Sequence, residues 1–141
     1  MRLVLLGLPG AGKGTQGARI SQRYGIPHIS TGRIIRAVIA SQSPLGEEVD
    51  RYISKGNLIP DHLAMEIIRE RLSQEDCQDG WILDGYPRTV AQAVDLDEML
   101  GAMGSRVDLA IDVRISEQDA IDRISQRRIC RNCRATCHLK Y

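Results

Sequence analysis

The sequence predicts an α/β fold, a parallel sheet with helices on its faces, and three observations support this prediction. Short apolar runs alternate with segments of helical periodicity along most of the chain, which is the pattern of strand–helix–strand units. A glycine-rich loop at residues 7–15 directly follows the first apolar run. The run at residues 81–84 ends in a carboxylate, Asp84, at the end of a strand where sheets of this kind bind ligands.

The first half of the chain contains two predicted strands and three predicted helices. Residues 1–6 include a continuous apolar run, typical of a buried parallel strand, and Ile20 and Tyr24 share one face of the helix that follows. Thr31 is the expected N-cap of the next helix. In order, the predicted elements are a strand at 1–6, a helix at 13–24, a strand at 28–30, and helices at 31–42 and 46–55.

The second half continues the alternation of helices and strands. Asp61 and Ser116 are the expected N-caps of its first and last helices. Beyond Ile129 the pattern stops, and cysteine and arginine dominate. In order, the predicted elements are a helix at 61–73, a strand at 81–84, a helix at 89–100, a strand at 107–113 and a helix at 116–128.

Length and composition limit the kinds of protein that this chain can be. Its 141 residues are enough for about one domain. A net charge of +1 gives no field that would attract nucleic acid or a membrane surface, and we predict neither partner. No apolar run approaches the roughly 18 residues that span a bilayer, and no signal-peptide pattern is present, so we expect a cytoplasmic protein. Nothing in the pattern indicates an interface helix, and a monomer is expected.

Residues 7–15 read GLPGAGKGT, and this loop has the composition of a phosphate cradle. Backbone N–H groups of such a loop point inward, the following helix contributes the positive end of its dipole, and the lysine adds a mobile charge. In the general pattern Ser or Thr follows the lysine directly, whereas here Gly14 separates Lys13 from Thr15. The loop predicts a site for a nucleoside triphosphate, the alternative being a glycine-rich turn with a chance lysine.

Two further segments carry groups that suit phosphates and metal. Residues 84–92 read DGYPRTVAQ, in which Asp84 can hold water on Mg²⁺ and Arg88 offers a planar fork for a second phosphate. Residues 30–36 read STGRIIR and place Arg36 one helical turn beyond Gly32. The alternatives are a solvated turn with Thr89 as a helix cap for the first segment, and a capped surface helix for the second.

The three segments GLPGAGKGT, STGRIIR and DGYPRTVAQ, in this order and at these distances, resemble adenylate kinase, of the nucleoside monophosphate kinase group. The resemblance covers residues 1–141 and implies a P-loop NTPase-type parallel sheet with flanking helices. It implies a single domain with a core at 1–29 and 60–128, a helical NMP-binding flap at 30–59, and an incomplete lid at 129–141.

The resemblance also implies roles for individual residues. Those expected to bind ATP are Gly10, Ala11, Gly12, Lys13, Gly14, Thr15 and Arg127. Those expected to bind AMP are Thr31, Arg36, Asn57, Leu58, Ile59, Gly85, Tyr86, Pro87, Arg88 and Gln92. Those expected to act in catalysis are Lys13, Asp84, Arg88, Arg123 and Arg127. Arg123 and Arg127 are expected four apart on one face of the last helix, and the Tyr86–Pro87 bond is expected to be cis.

The implied reaction is reversible, Mg²⁺-dependent phosphoryl transfer, ATP + AMP to 2 ADP. No side-chain nucleophile is needed, because catalysis rests on holding two nucleotides in line while cations spread the transferring charge. A UMP/CMP kinase is an alternative within the same class. A nucleotide-binding fragment without activity and a zinc-tipped interaction module are alternatives outside it.

Two features depart from the family pattern near the implied substrates. The chain stops at Tyr141, within the expected lid. Arg33 stands where the family usually has an acidic residue close to the metal and the phosphates. It either strengthens phosphate binding, misplaces Mg²⁺, or turns to solvent. His28 and His62 have no partner pattern and are interpreted as ordinary loop or cap-side residues.

The cysteines are the third departure. Cys130 and Cys133 match the first pair of a zinc site that holds the lid in some relatives, with Cys137 and His138 as the residues that could complete it. The alternative is half a zinc site with idle thiols. Cys77 is interpreted as a packing residue.

Overall fold

A parallel sheet forms the centre of the molecule, as the sequence predicts. The computed structural model describes residues 1–130 and 136–139. Four strands pair in parallel in the spatial order β2-β3-β1-β4. They are β1 (Arg2–Leu6), β2 (His28–Ser30), β3 (Trp81–Asp84) and β4 (Leu109–Asp112). The predicted α/β fold class is confirmed.

The register of the strands brings the functional loops to one edge. Asp84 of β3 pairs with Leu5 of β1 on one side and with Ser30 of β2 on the other. The carboxyl ends of these strands therefore meet, because all of them run in the same direction. The loop that follows β1 and the helix that follows β2 start beside Asp84, at the edge where such sheets bind ligands.

Six α-helices connect and cover the strands in the described part of the chain. They are α1 (Lys13–Tyr24), α2 (Thr31–Ala40), α3 (Pro44–Ile53), α4 (Asp61–Leu72), α5 (Val90–Ala102) and α6 (Glu117–Ser125), and a short 3₁₀ helix covers Glu75–Cys77. Helix α3 begins two residues before the predicted 46, because Ser43 accepts a hydrogen bond from the Gly46 N–H and Pro44 fills the first helical turn. None of the described helices is long and apolar enough to cross a membrane.

Two of the three predicted helix caps are wrong. Thr31 is the first residue of α2, with Ser30 at the N-cap, and its Oγ1 donates to the carbonyl oxygen of Asp84 at 3.1 Å. Asp61 is likewise the first residue of α4, and its carboxylate accepts from Gln92 Nε2 at 2.6 Å. Both side chains bind a neighbouring element, which a local capping rule does not detect. Ser116 does cap α6, since its Oγ accepts from the Asp119 N–H.

The last predicted helix, at 116–128, is too long. Helix α6 ends at Ser125, and Arg127–Ile129 forms strand β5, which pairs antiparallel with β6 (Thr136–His138). Arg127 is therefore on a strand, and the expectation that it shares a helix face with Arg123 is wrong. The polar sequence before Ile129 suits either structure, and the pairing with the distant strand decides it.

The sheet has an apolar cluster on each face. Val4 belongs to one cluster with Leu83 and residues of α4 and α5. Leu3 and Leu5 belong to the other, with Ile26 and Ile82. This division follows from the period-2 alternation of side chains along a strand that is buried on both faces. Cys77 is 3% exposed and lies within the larger cluster, which confirms its interpretation as a packing residue.

Candidate functional site

A cavity of about 1920 Å³ opens at the carboxyl edge of the sheet. The loop after β1 and the first turn of α1 form one wall, and the end of β2 with the start of α2 forms another. Within the described residues, one carboxylate lines the cavity, that of Asp84. The cationic side chains that line it are Lys13, Arg33, Arg36, Arg123 and Arg127. A cavity with this balance of charge suits a highly anionic ligand.

The glycine loop has the backbone geometry of an anion cradle. Gly12 is the N-cap of α1 with φ 96°, and no side chain caps the helix, so the first N–H groups of α1 stay available for a ligand. Gly7 has φ 133°, and a Cβ there would collide with the Val113 carbonyl oxygen. A side chain at either position would be strained in these left-handed conformations.

Two cationic side chains donate hydrogen bonds to the backbone of this loop. Lys13 Nζ donates to the carbonyl oxygens of Gly7 at 2.8 Å and Leu8 at 3.0 Å. Arg123 Nη1 donates to the carbonyl oxygen of Gly10 at 3.4 Å, and Arg123 reaches it from α6, more than a hundred residues away in sequence. Lys13, Arg123 and the predicted loop residues other than Ala11, which is buried, thus line one cavity.

Asp84 has a partner that the sequence analysis missed. His28 Nε2 lies 3.3 Å from Asp84 Oδ2, with 8% of the histidine side chain and 13% of the aspartate side chain exposed. The interpretation of His28 as an ordinary loop residue is therefore wrong. Gly17 was the available signal, because glycine inside a helix is costly. A Cβ at Gly17 would lie 2.6 Å from His28 Nε2, so that glycine makes room for the imidazole.

Arg33 completes this group. Its Nη2 lies 3.1 Å from His28 Nδ1 and 3.5 Å from the His28 carbonyl oxygen. The guanidinium is exposed, yet it is attached to His28 on the cavity wall. The three side chains form a line of contacts, from guanidinium to imidazole to carboxylate.

The residues expected to bind AMP form a second connected group at the start of α5. Arg88 Nε donates to the Gly85 carbonyl oxygen at 2.8 Å, and the Arg88 N–H donates to Gln92 Oε1 at 2.7 Å. Gln92 is buried and binds Asp61 through its Nε2. The Tyr86–Pro87 bond is cis, as expected.

Tyr86, which is expected to bind AMP, is almost fully buried. It is 2% exposed and packs in the larger apolar cluster. Burial, with the charges of Asp95 and Asp61 as smaller causes, raises the pKa of Tyr86 to about 12. Its phenol stays protonated at neutral pH, so its side chain supports the wall rather than supplying charge.

The remaining AMP-side predictions lie in and after the helices α2 and α3. Arg36 lines the cavity from α2. The Asn57 N–H donates to the Tyr52 carbonyl oxygen at 3.0 Å and closes the turn after α3. Leu58 is 83% exposed, whereas Ile59 packs against the larger apolar cluster.

Comparison with known proteins agrees with this geometry. A model of the adenylate kinase family matches residues 5–136, which include the glycine loop, the Asp84 segment and all of α6. The chain belongs to the adenylate kinase family. Adenylate kinases from Archaeoglobus fulgidus and Bacillus licheniformis are each 50% identical to it over 141 residues, and one from Caldicellulosiruptor bescii is 48% identical. Each match covers 100% of this chain but only 65 to 66% of the relative's length.

Mg²⁺ accompanies ATP in adenylate kinases, and the Asp84 region fits such an ion. Asp84 offers hard carboxylate oxygen, the ligand type that Mg²⁺ prefers, and it lies on the cavity wall beside the first turn of α1. Gly14 keeps that turn open, since a Cβ there would lie 3.7 Å from Asp84 Oδ2. The positive charge of Arg33, which contacts His28 beside Asp84, opposes the binding of a metal ion here.

The candidate zinc residues are only partly within the described structure. Cys130 is half-buried, and Cys133 lies outside the described residues. Cys137 lines the cavity. Within residues 1–130 and 136–139, no group of three or more His, Cys, Asp or Glu side chains could hold a metal ion.

Proposed function

We propose that this chain catalyses reversible phosphoryl transfer between ATP and AMP to give two molecules of ADP, with Mg²⁺. One observation carries the proposal: the glycine loop with Lys13, the carboxylate of Asp84 and Arg36 of the expected AMP side all line a single cavity. Membership of the adenylate kinase family supports the same substrates. Because the chain spans 65 to 66% of the length of these relatives, its own activity is the point to be tested.

The donor nucleotide is proposed to bind on the loop wall. Residues Gly10 to Thr15 offer backbone N–H groups to its phosphates, and Lys13 exchanges the carbonyl oxygens of Gly7 and Leu8 for phosphate oxygens. Arg123 and Arg127 face the same cavity from α6 and β5. Asp84 would hold Mg²⁺, which would neutralise charge on the donor phosphates.

The acceptor AMP is proposed to bind between α2 and the start of α5, with the segment 30–59 as its flap. Arg36 and Arg88 are the proposed phosphate ligands, and Thr31 and Gly85 lie beside Arg88. Asn57, Leu58 and Ile59 form the flap backbone, and Gln92 with Gly85, Tyr86 and Pro87 forms the opposite wall. The buried side-chain amide of Gln92 hydrogen-bonds both the Arg88 backbone and Asp61. These two bonds fix the position of the segment that forms this wall.

The chemistry requires positioning and charge rather than a protein nucleophile. The transferring phosphoryl group carries charge on its peripheral oxygens, and cations already fixed around the cavity stabilise that charge without reorganising. Lys13, Arg123 and Arg127 are the proposed cations of the cavity wall. Arg88, which is not among the residues that line the cavity, is proposed to reach the phosphoryl group from the segment before α5. Exclusion of water from the cavity when both nucleotides are bound would favour transfer to AMP over hydrolysis.

The deciding experiment is a coupled assay of ADP disproportionation with Mg²⁺ on this 141-residue chain. Lys13→Ala is expected to lower turnover about 100-fold or more, the size expected when one preorganised donor is removed. The matched control is Arg69→Ala, which removes an exposed cation of α4 outside the cavity and is expected to leave turnover unchanged. Turnover that survives Lys13→Ala would contradict the proposal.

One observation favours a second candidate, a nucleotide binder without turnover. Arg33 places a positive charge on the His28–Asp84 pair, where a metal ion would be held. This candidate predicts ADP binding by titration calorimetry without ADP disproportionation. Activity gained on replacing Arg33 with Asp would identify the arginine as the cause.

A further inference from the structure

Arg33 lines the cavity and also the smaller groove between α2 and α4. Its described contacts use a single guanidinium nitrogen, Nη2, which lies 3.1 Å from His28 Nδ1 and 3.5 Å from the His28 carbonyl oxygen. A guanidinium carries five N–H donors in a rigid planar fork. The remaining donors can bind an anion while the contact with His28 is kept.

The anchor of Arg33 is rigid. The His28 side chain is 8% exposed, and its Nε2 lies 3.3 Å from Asp84 Oδ2. On the other side the ring packs on α1 so closely that a Cβ at Gly17 would lie 2.6 Å from Nε2. An anchored arginine loses less side-chain entropy when a ligand binds than one that is free in solvent.

The charge around the cavity has a consequence for metal. Five cationic side chains and one carboxylate line it among the described residues. A polyphosphate without a metal ion is therefore well balanced here. A metal ion at Asp84 would lie on the same cavity wall as the Arg33 guanidinium, with the imidazole of His28 between them. Two cations that face one partly desolvated cavity repel each other.

We propose that Arg33 is a phosphate-binding residue of this cavity and makes nucleotide binding less dependent on Mg²⁺. The proposal deepens the proposed function and rests on it for the identity of the ligand, a nucleoside polyphosphate. Its electrostatic part needs only the polyphosphate group. Arg33 lies in the first turn of α2 at the carboxyl edge of the sheet, in contact with His28, whereas an exposed arginine such as Arg69 lies outside the cavity.

The test is calorimetric titration of ADP into the whole chain, with Mg²⁺ and with a chelator instead. Without Mg²⁺, Arg33→Ala is expected to weaken ADP binding about tenfold, since a hydrogen bond to a charged group is lost. Arg33→Lys loses the planar fork but keeps the charge, and because the electrostatic attraction to a polyphosphate needs only the charge, its affinity is expected to remain within about threefold of the original. Arg69→Ala serves as the matched loss of an exposed arginine and is expected to have no effect.

The dependence on Mg²⁺ gives the second readout. The ratio of ADP affinity with Mg²⁺ to ADP affinity without it is expected to rise about tenfold in Arg33→Asp, because a repelled metal ion becomes an attracted one. An unchanged ratio, or metal-free binding in Arg33→Ala equal to that in Arg69→Ala, would overturn the proposal. Equal losses in Arg33→Ala and Arg33→Lys would also overturn it, since they would show a structural role rather than a charge.

Inorganic tripolyphosphate separates this proposal from the proposed function. If the chain binds tripolyphosphate through Arg33 but does not disproportionate ADP, the role of Arg33 stands and the kinase activity fails. If the chain disproportionates ADP and Arg33→Ala binds tripolyphosphate as well as the original chain, the activity stands and the role of Arg33 fails. A chain that binds neither ADP nor tripolyphosphate would contradict both.

Discussion

The two sides of the central strand β1 are packed very differently. On one side lies β3, whose Ile82 and Leu83 are both 0% exposed, Leu83 in the cluster with α4 and α5 and Ile82 in the cluster on the opposite face. On the other lies β4, where Leu109 is 57% exposed, and α6, where Ile121 is 59% exposed. We call these the β3 side and the β4 side. Burial of apolar surface is the main source of stability, so the described fold is held mostly by the β3 side.

Residues of the candidate site come from both the β3 side and the β4 side. Asp84 and the start of α5 belong to the β3 side. The glycine loop packs against the β4 side, where Gly7 lies against the Val113 backbone and Gly10 lies close to α6. From α6, Arg123 donates a hydrogen bond to the Gly10 carbonyl oxygen. The carboxylate is therefore held by the well-buried part of the fold, whereas part of the positive charge is held by the part with less buried surface.

The largest expected effect would test this difference in stability directly. Leu83→Ala is expected to lower the free energy of unfolding by about 3 kcal/mol, because it leaves a cavity in the larger apolar cluster. Leu109→Ala on the β4 side is expected to cost about 1 kcal/mol or less, since that side chain is already half in solvent. Urea denaturation of both variants measures the two losses of unfolding free energy. Equal losses would show that the β3 side does not contribute more stability than the β4 side.

A second pair of substitutions asks how tightly the β3 side packs next to the site. Gly17→Ala is expected to destabilise the protein by about 1 to 3 kcal/mol, because its methyl group would collide with the imidazole of His28. Gly101→Ala in α5 is the control, since a Cβ there meets nothing within 4 Å, and it is expected to stabilise by about 0.5 to 1 kcal/mol.

Both glycine variants are compared by urea denaturation and by ADP binding. Gly17→Ala is expected to weaken ADP binding as well, because a displaced His28 releases both Asp84 and Arg33. A Gly17→Ala variant as stable as Gly101→Ala would show that the site side of the sheet is loosely packed.

The smallest expected effect is a pH dependence of the β3 side. The pKa of Tyr86 is raised by burial from an ordinary 10 to about 12. The folded state thus holds the phenol proton more tightly than the unfolded state, so the stabilisation is complete below pH 10 and is lost as the pH rises through about 12. Tyr86→Phe removes this group and is expected to make the decline in unfolding free energy shallower over that range. A decline of unchanged slope would contradict the assignment to Tyr86.

The sequence predicted most of the fold because its signals are local. Short apolar runs indicate strands β1 and β2, and the glycines of the loop indicate the start of α1 at Lys13. The capping residue Thr89 indicates the start of α5. The failures occur where a distant partner decides the structure. Thr31 binds the carbonyl of Asp84, Asp61 binds Gln92, and Arg127 joins a hairpin rather than a helix.

The same distinction applies to the candidate site. The glycine loop and Asp84 could be predicted, since their spacing carries the chemistry. His28 could not, because its importance comes from Gly17, Arg33 and Asp84, which meet it only in the folded chain.

The lysine of the glycine loop is already satisfied before any ligand arrives. Because Lys13 Nζ donates to two backbone carbonyl oxygens, an entering molecule must offer better acceptors than the peptide groups that it displaces. Binding is then an exchange of acceptors. A neutral molecule gains nothing from that exchange, whereas a phosphate gains a charge-assisted bond of roughly twice the strength. The two hydrogen bonds that Lys13 makes without a ligand therefore favour the binding of strongly anionic molecules over neutral ones.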